Sequence, residues 1–456
     1  MNTAVSYDLS LSDAWAAGLV SLEIISANEA LRLHHALQRI GRDWTADSSP
    51  RYDELANLFT HLDAQLVTLM REDEDEQLAL DFLATRSATA RYLSVGRALL
   101  RAHAQHIVRA LNDVKHSLLT QAGKALSLRI IIPVNLSPVL AAQALVGWAY
   151  QFADMAEQLV AWRAHADRCP VTVGEGAGML FEQDPRPLAR ALDFSAVSSC
   201  AARELSSAAA SPEEERFFVL TGQVKALCRE FEQQVQLWEN MGFIKRAGNS
   251  EQVRSAQTSP AQGGSAHAES TQSLADSQSH PEPPVLPHDD SHALIVKLTA
   301  LAHMVERLEW DEPGCEKACS WKLAAPDVVA WLVVHQNVHP RLAEQVVLKF
   351  LEDRDTSSAQ GESAEVAASR ASEAPRTSEA PRTSEFPSTS DAPSSKECEQ
   401  MLLAAGVAPA AMTGKLPVSA LKNLWSAAGS VEAHKSLGGS AAKRVDEQIK
   451  ELSTRR

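Results

Sequence analysis

The sequence predicts an all-α protein dominated by long helices. Two observations predict this class. Apolar residues recur at helical spacing with almost no sustained alternation of the kind that marks strands, and three stretches keep that spacing for about 25 residues or more. Helices of that length imply a long bundle rather than a compact globin-like packing.

The elements follow in chain order. Residues 1–88 read as an N-terminal helical region and 89–246 as the long-helix core. Leu93, Leu100, Ile107 and Val114 recur every seven residues, and Leu111 and Leu118 extend the same face, so one helix is expected from about Thr89 to Leu126. Such a seam also invites packing against another subunit. A second helix carries Trp148, Phe152, Met155, Leu159 and Trp162 on one stripe. A third starts at Ser211, a cap residue followed by Pro212 and by Glu213, Glu214 and Glu215, whose charges suit the positive end of a helix dipole. Its buried face is expected to be Phe217, Leu220, Val224, Leu227, Phe231 and Trp238.

Residues 247–290 lose this periodicity, being rich in Ser, Ala, Gln, Glu, Pro and Gly, and are expected to be a disordered insertion. A smaller helical part follows at 291–354. Residues 355–396 form a second disordered insertion, a Ser/Pro/Glu linker in which a six-residue repeat starts at Ser372, Ser378, Ser384 and Ser390. A helical tail is expected at 397–456.

Composition narrows the function classes. Against 43 Lys and Arg stand 58 Asp and Glu, a net charge of −15, which speaks against nucleic acid or an anionic membrane as the main partner. Cys169, Cys200, Cys228, Cys315, Cys319 and Cys398 are too few and scattered for a disulfide scaffold, and the start carries no secretory signal, so a cytoplasmic location is expected. The most lipid-like stretch, Ile130 to Ala149, contains Pro133, Asn135, Pro138 and Gln143, which a membrane-spanning helix rarely tolerates.

Other motifs read as structural. Gly174, Gly176 and Gly178 are spaced GxGxG rather than GxGxxG, with no βαβ pattern around them, although Asp193 lies near the distance of a ribose-binding acid. Cys315 and Cys319 place two thiols on one helix face, but structural zinc wants four ligands, and His335 and His339 lie on a different predicted helix. His103 and His106 fall on the wet side of the long helix, and His34 and His35 carry no readable role.

Five stretches carry a family resemblance. Tyr7 to Ser26 (YDLSLSDAWAAGLVSLEIIS) looks like YDxxGSxAHxxMLxxxGIIS. Cys169 to Asp184 (CPVTVGEGAGMLFEQD) looks like SPLGxGAxAGxxFxxD, and Leu192 to Phe194 like the LGF after it. Leu323 to Leu351 (LAAPDVVAWLVVHQNVHPRLAEQVVLKFL) is similar to LATDLADYLVxKGVPFREAHxIVGKLV, and Ser430 to Ile449 (SVEAHKSLGGSAAKRVDEQI) to SVxxRxSxGGTAPxxVxxQI. Pro133 to Met155 resembles, more weakly, the region that begins MPGYTHLQ. In this order the stretches resemble argininosuccinate lyase, of the fumarase and aspartase superfamily. The resemblance implies a fumarase/aspartase-like helical bundle with a smaller helical C-terminal domain, usually a homotetramer, that eliminates fumarate from a succinyl-bearing substrate. It implies a homo-oligomer through long helices, a small anionic substrate, no cofactor and no metal.

The same comparison finds the family's chemical residues degraded. The Thr-His pair of PGYTHLQ falls on Leu136 and Ser137, and the family's N-terminal His on Trp15. The substrate-binding GRSRND becomes Thr85, Arg86, Ser87, Ala88, Thr89 and Ala90, without the second Arg and the Asn. Residues that follow LGF in the family land on Cys200, Ala201, Ser206, Ser207 and Ala208. The serine loop GSSxMPQKKNP gives way to Lys245 through Ser250, where Ser250 is a faint echo of the proton-abstracting serine, and no long helix follows before Ser291. Asp8, Ser12, Arg86 and Ser87 survive, either as remnants of an anion pocket or structurally, an Asp or Ser near a helix start being usually a cap and a lone Arg usually solvated. Two functions follow from the resemblance: a catalytically impaired or silent homologue serving as a helical assembly or binding protein, or an active argininosuccinate lyase producing arginine and fumarate.

Overall fold

The computed structural model describes residues 4–44, 51–135, 137–179, 181–205, 211–246, 290–354, 392–408 and 416–455. Ser250, Leu136, Ser206, Ser207 and Ala208 lie outside the described residues. So do nearly all of the two segments expected to be disordered, including the first three six-residue repeats, whereas the fourth, from Ser390, runs into the described residues, where Ser394 caps the helix Ser395–Ala404.

The helices come first in residues 1–127: α1 (Ala4–Ser21), α2 (Ala27–Asp43), α3 (Leu55–Glu72), α4 (Glu76–Ala84) and α5 (Ala88–Ser127). A hairpin of β1 (Ile131–Val134) and β2 (Ser137–Leu140) leads into α6 (Ala141–His165). Next come β3 (Arg168–Cys169), α7 (Pro185–Ala191), β4 (Ala196–Val197), α8 (Ala201–Glu204), α9 (Pro212–Asn240) and β5 (Ile244–Arg246). The later part holds α10 (Ser291–Glu306), β6 (Leu308–Trp310), α11 (Glu312–Ala318), α12 (Ala325–Gln336) and α13 (340–354). It ends with α14 (Ser395–Ala404), α15 (Leu416–Leu424), α16 (Ala427–Ala433) and α17 (Ala442–Thr454). The all-α class therefore holds, with strands confined to short two-stranded sheets among the described residues.

The three expected long helices are α5, α6 and α9, of 40, 25 and 29 residues. Leu93, Leu100, Ile107, Leu111, Val114 and Leu118 are all buried within the chain. The seven-residue seam is thus core packing, each side chain worth about 1.5–3 kcal/mol when fully buried. It is not the free face that its spacing suggested for a second subunit. Ile130 to Ala149 is neither a spanning helix nor one element: Pro133 and Pro138 face each other in the β1–β2 ladder, and α6 begins three residues later. Proline removes the donor that a helix interior needs but is tolerated in an isolated hairpin. No helix of the described residues is long and apolar enough to cross a membrane.

The chain divides into two compact units, to both of which α5, α6 and α9 contribute residues. The first comprises Met1–Val114, Gln151–Glu230 and Glu251–Ala302. In it α1 packs on α2 and α7, and α3 on α2 and α4. Ser26 and Glu29 form a capping box at the start of α2, with Glu29 N donating to Ser26 Oγ (3.2 Å) and Ser26 N to Glu29 Oε2 (2.6 Å). Trp162 of α6 meets Phe217 of α9 with ring centroids 4.9 Å apart. The second unit comprises Lys115–Tyr150, Phe231–Ser250 and His303–Arg456. Its apolar centre is built by Trp321, Val328, Leu332, Val347, Leu402 and Trp425, the two indoles lying 5.3 Å apart. Asn337 ends α12 in the left-handed conformation, its N–H bonded to Leu332 O.

Candidate functional site

A cleft of about 480 Å³ opens in the first unit. Three pieces of chain line it: one face of α1 (Leu11, Trp15), the junction of α4 and α5 (Ala84 to Arg91), and the glycine-rich loop with Val171, Gly174, Glu175 and Phe181. The α4–α5 junction is the stretch aligned with the family's GRSRND, so the cleft lies where the resemblance placed the substrate.

The helix α1 positions its side chains by period. Asp8, Leu11, Ser12 and Trp15 fall at i, i+3, i+4 and i+7 and are all buried. Asp8 does not cap: it lies one turn inside α1, which starts at Ala4. Its carboxylate accepts two hydrogen bonds of 2.6 Å from Arg91, Nε to Oδ1 and Nη2 to Oδ2, and one of 3.3 Å from Arg86 Nη2. Ser12 is no cap either, since its hydroxyl donates back to Asp8 O at 2.7 Å. Trp15, in place of the family's His, donates from Nε1 to Thr85 Oγ1 at 2.9 Å.

Arg86 is not solvated. Its side chain is 7% exposed, and burial with Arg91 beside it pulls its pKa down to about 10. Arg91 is saturated: Nη1 donates to both oxygens of Asp63 on α3, at 2.9 and 2.7 Å. Burial opposes its charge, but Asp8 and Asp63 hold it above the ordinary arginine value. Ser87 Oγ accepts from Ala90 N at 3.0 Å and so does the capping, at the start of α5.

Gly174, Gly176 and Gly178 have φ of +52°, +111° and +102°, which side-chain-bearing residues rarely adopt. A Cβ on Gly174 would stand 1.9 Å from Gly178 O. Gly176 N and Gly178 N both donate to Val173 O, at 2.9 and 3.0 Å, so the loop spends these amides on itself and is no phosphate cradle. The turn presents Glu175, which accepts from Thr89 Oγ1 at 2.5 Å and Thr89 N at 3.4 Å. Partial burial opposes its ionisation, yet the Thr89 and Ser87 hydroxyls and the Thr89 and Ala88 amides hold its pKa below the usual glutamate range.

Of the residues singled out from sequence, the structure brings Asp8, Ser12, Arg86 and Ser87 into one neighbourhood, with Arg86 and Ser87 on the cleft surface. Sequence reasoning missed Asp63, Arg91 and Glu175. It also missed a second buried network, in which Arg97 donates to Glu204 Oε2 (2.6 Å), Glu214 Oε1 (3.0 Å), Ser211 Oγ (2.6 Å) and Arg168 O (3.0 Å). Glu213 and Glu214 stand in the first turn of α9 as expected and are also buried. One signal was available: Arg97 lies four residues after Leu93 and three before Leu100, on the buried stripe of α5.

The remaining motifs lie elsewhere. Cys315 on α11 and Cys319 just after it donate to Phe243 O (3.5 Å) and Ile131 O (3.2 Å). Burial pushes both thiols up to about 12. Among the described residues no group of three or more His, Cys, Asp or Glu side chains has the geometry of a metal site. His103 and His106 are half-buried rather than fully wet.

No protein-family model matches the chain. It is 29% identical over 174 residues to argininosuccinate lyase of Bifidobacterium longum subsp. infantis, 34% of this chain and 35% of that protein. To the argininosuccinate lyase of Acidothermus cellulolyticus it is 28% identical over 193 residues, 42% of this chain and 38% of the relative. The matches thus span little more than a third of either relative's length. Among solved structures, EDDS lyase in complex with formate superposes with a TM-score of 0.70 at 13% identity, over 99% of this chain and 86% of that one. Fumarate lyase from Mesorhizobium sp. BNC1 superposes with a TM-score of 0.59 at 13% identity, over 98% and 95%. The fold agrees with the helical bundle that the motifs implied, and over little more than a third of its length the chain is similar in sequence to argininosuccinate lyases, as a divergent relative would be.

Proposed function

We propose that the chain is a catalytically silent lyase homologue, which keeps the helical assembly of the superfamily and has lost its elimination chemistry. One observation carries this reading: the guanidinium groups of the cleft face the chain's own carboxylates. Arg91 is saturated by Asp8 and Asp63, and Arg86 shares the same two acids. With Glu175, two guanidinium groups stand against three carboxylates, one negative charge in excess. Such a cleft repels a succinyl-bearing anion rather than clamping it. Trp15 supplies no proton in place of the imidazole, and among the described residues the lining holds neither His nor Lys to act as a base.

A cytoplasmic homo-oligomer fits this reading. All six cysteines are free thiols. Val160 on α6, Val219 on α9 and Val296 on α10 are each more than half exposed.

The second reading is an active argininosuccinate lyase, favoured by the sequence match to enzymes of that name. It requires a proton-abstracting residue such as Ser250. Following fumarate formation by its ultraviolet absorbance, with argininosuccinate, adenylosuccinate and aspartate as substrates, separates the two. No turnover by a folded sample is the expected result. Turnover with argininosuccinate that disappears in Ser250→Ala or Arg86→Ala overturns the silent reading.

A further inference from the structure

We infer that Cys315 and Cys319 form a site for a soft monovalent cation of the copper(I) class, held between their two sulfurs in a cavity of the second unit. Nothing in it uses the cleft of the first unit, so it stands whether or not elimination chemistry survives.

The cavity measures about 370 Å³, and every residue that lines it belongs to the second unit. Glu312, Cys315, Glu316 and Cys319 fall at i, i+3, i+4 and i+7, so α11 and the residue that ends it turn one face to the cavity, and all four line it. Ile130, Ile131 and Trp321 supply an apolar wall. Cys319 N donates to Cys315 O at 3.1 Å, which sets the two cysteines one helical turn apart. Side chains so spaced have Cβ atoms about 5–6 Å apart. A linear S–metal–S unit with bonds near the zinc–thiolate length of about 2.3 Å spans about 4.6 Å. Rotation about χ1 therefore brings both sulfurs onto one ion.

Two thiolates suit this ion class. Soft sulfur ligands select copper(I), and among the described residues no third His, Cys, Asp or Glu side chain converges with them as a four-coordinate zinc would require. Each sulfur spends its one proton on a backbone carbonyl, Cys315 on Phe243 O and Cys319 on Ile131 O, and keeps its lone pairs. Burial keeps both thiols protonated at neutral pH, and Asp311 and Glu312 add negative potential at Cys315. The potential that resists a bare thiolate favours a cation in the proton's place. Glu312 and Glu316 also outnumber Arg129, the one cation of the described lining. Binding breaks two S–H bonds and forms two S–Cu bonds; both protons leave to solvent and no electron moves. The cysteines are 2% and 5% exposed, an opening for a bare ion rather than for a bulky reagent.

The test is competition, without oxygen, between the full reduced chain and bicinchoninate for copper(I), the probe ion. Wild type should withdraw one equivalent from the coloured complex, and X-ray absorption of the loaded protein should show sulfur neighbours. Cys315→Ser and Cys319→Ser keep a hydroxyl for Phe243 O and Ile131 O but give up the soft donor, and each should lose that uptake. Cys200→Ser, at the exposed thiol, should keep it. Glu312→Gln/Glu316→Gln changes only exposed side chains and leaves both sulfurs in place, and it should weaken uptake about tenfold. No uptake by wild type overturns the site, as does uptake that survives Cys315→Ser or Cys319→Ser or is abolished by Cys200→Ser. So does a spectrum of nitrogen and oxygen neighbours, or unchanged affinity without the two carboxylates. Circular dichroism confirms that each variant is folded.

Discussion

Asp8 of α1 and Arg91 of α5 are joined side-on, by two parallel hydrogen bonds of 2.6 Å across 83 residues of sequence. Removing one partner would leave the other buried and uncompensated, which typically costs about 3–5 kcal/mol. Arg91→Met should therefore lower the urea midpoint strongly. The double variant Asp8→Asn/Arg91→Met should recover part of the loss, a non-additivity that a double-mutant cycle reads directly. Additive effects would mean that the pair contributes no coupling.

Glu204 gives stability a defined pH dependence. Burial opposes its charge, but Arg97 and the Ser198 hydroxyl, which donates at 2.6 Å, hold its pKa below the usual value. A depressed carboxylate stabilises fully above its unfolded value of about 4.3 and loses that contribution as pH falls through the lower folded value. Glu204→Gln should cost about 1.5–3 kcal/mol at pH 7. It should also flatten the loss of stability in acid, measured as urea midpoints against pH. An unchanged slope would assign the acid sensitivity to other carboxylates.

Thiol reactivity should single out one cysteine. Cys200 is exposed, whereas the other five are buried. Burial pushes Cys169 and Cys398 up to about 11 and Cys315 and Cys319 up to about 12, so few thiolates form at pH 8. Titration of the native protein with a chromogenic disulfide should modify about one thiol rapidly and none in Cys200→Ser, and all six once denatured. Rapid modification of Cys315 or Cys319 would show that the second unit opens readily.

Helical class and the longest elements were legible because they are written in local period. The seven-residue apolar recurrence found α5 to within a residue at each end, and Ser211 with Pro212 marked the start of α9. The hairpin at Ile131 to Leu140 was not legible, since two prolines in a short apolar run signal only that no helix passes through. Asp8 and Arg86 were recognised as matched positions, but their roles were misread. A cap is decided within four residues, whereas their partners lie up to 83 residues away.

What the sequence by itself determined is the bundle of long helices and the loss of the family's His and second Arg. These follow from side-chain identity and from periodicities shorter than two helical turns. Only the tertiary structure decided what the surviving charges do. It turned Arg86, Arg91 and Arg97 inward and set carboxylates from four other segments against them. It also brought Glu175 onto the start of a helix 86 residues before it in sequence. A charged side chain is solvated by default, and whether it is instead buried and paired depends on which distant carboxylate the packing delivers, which no local pattern encodes.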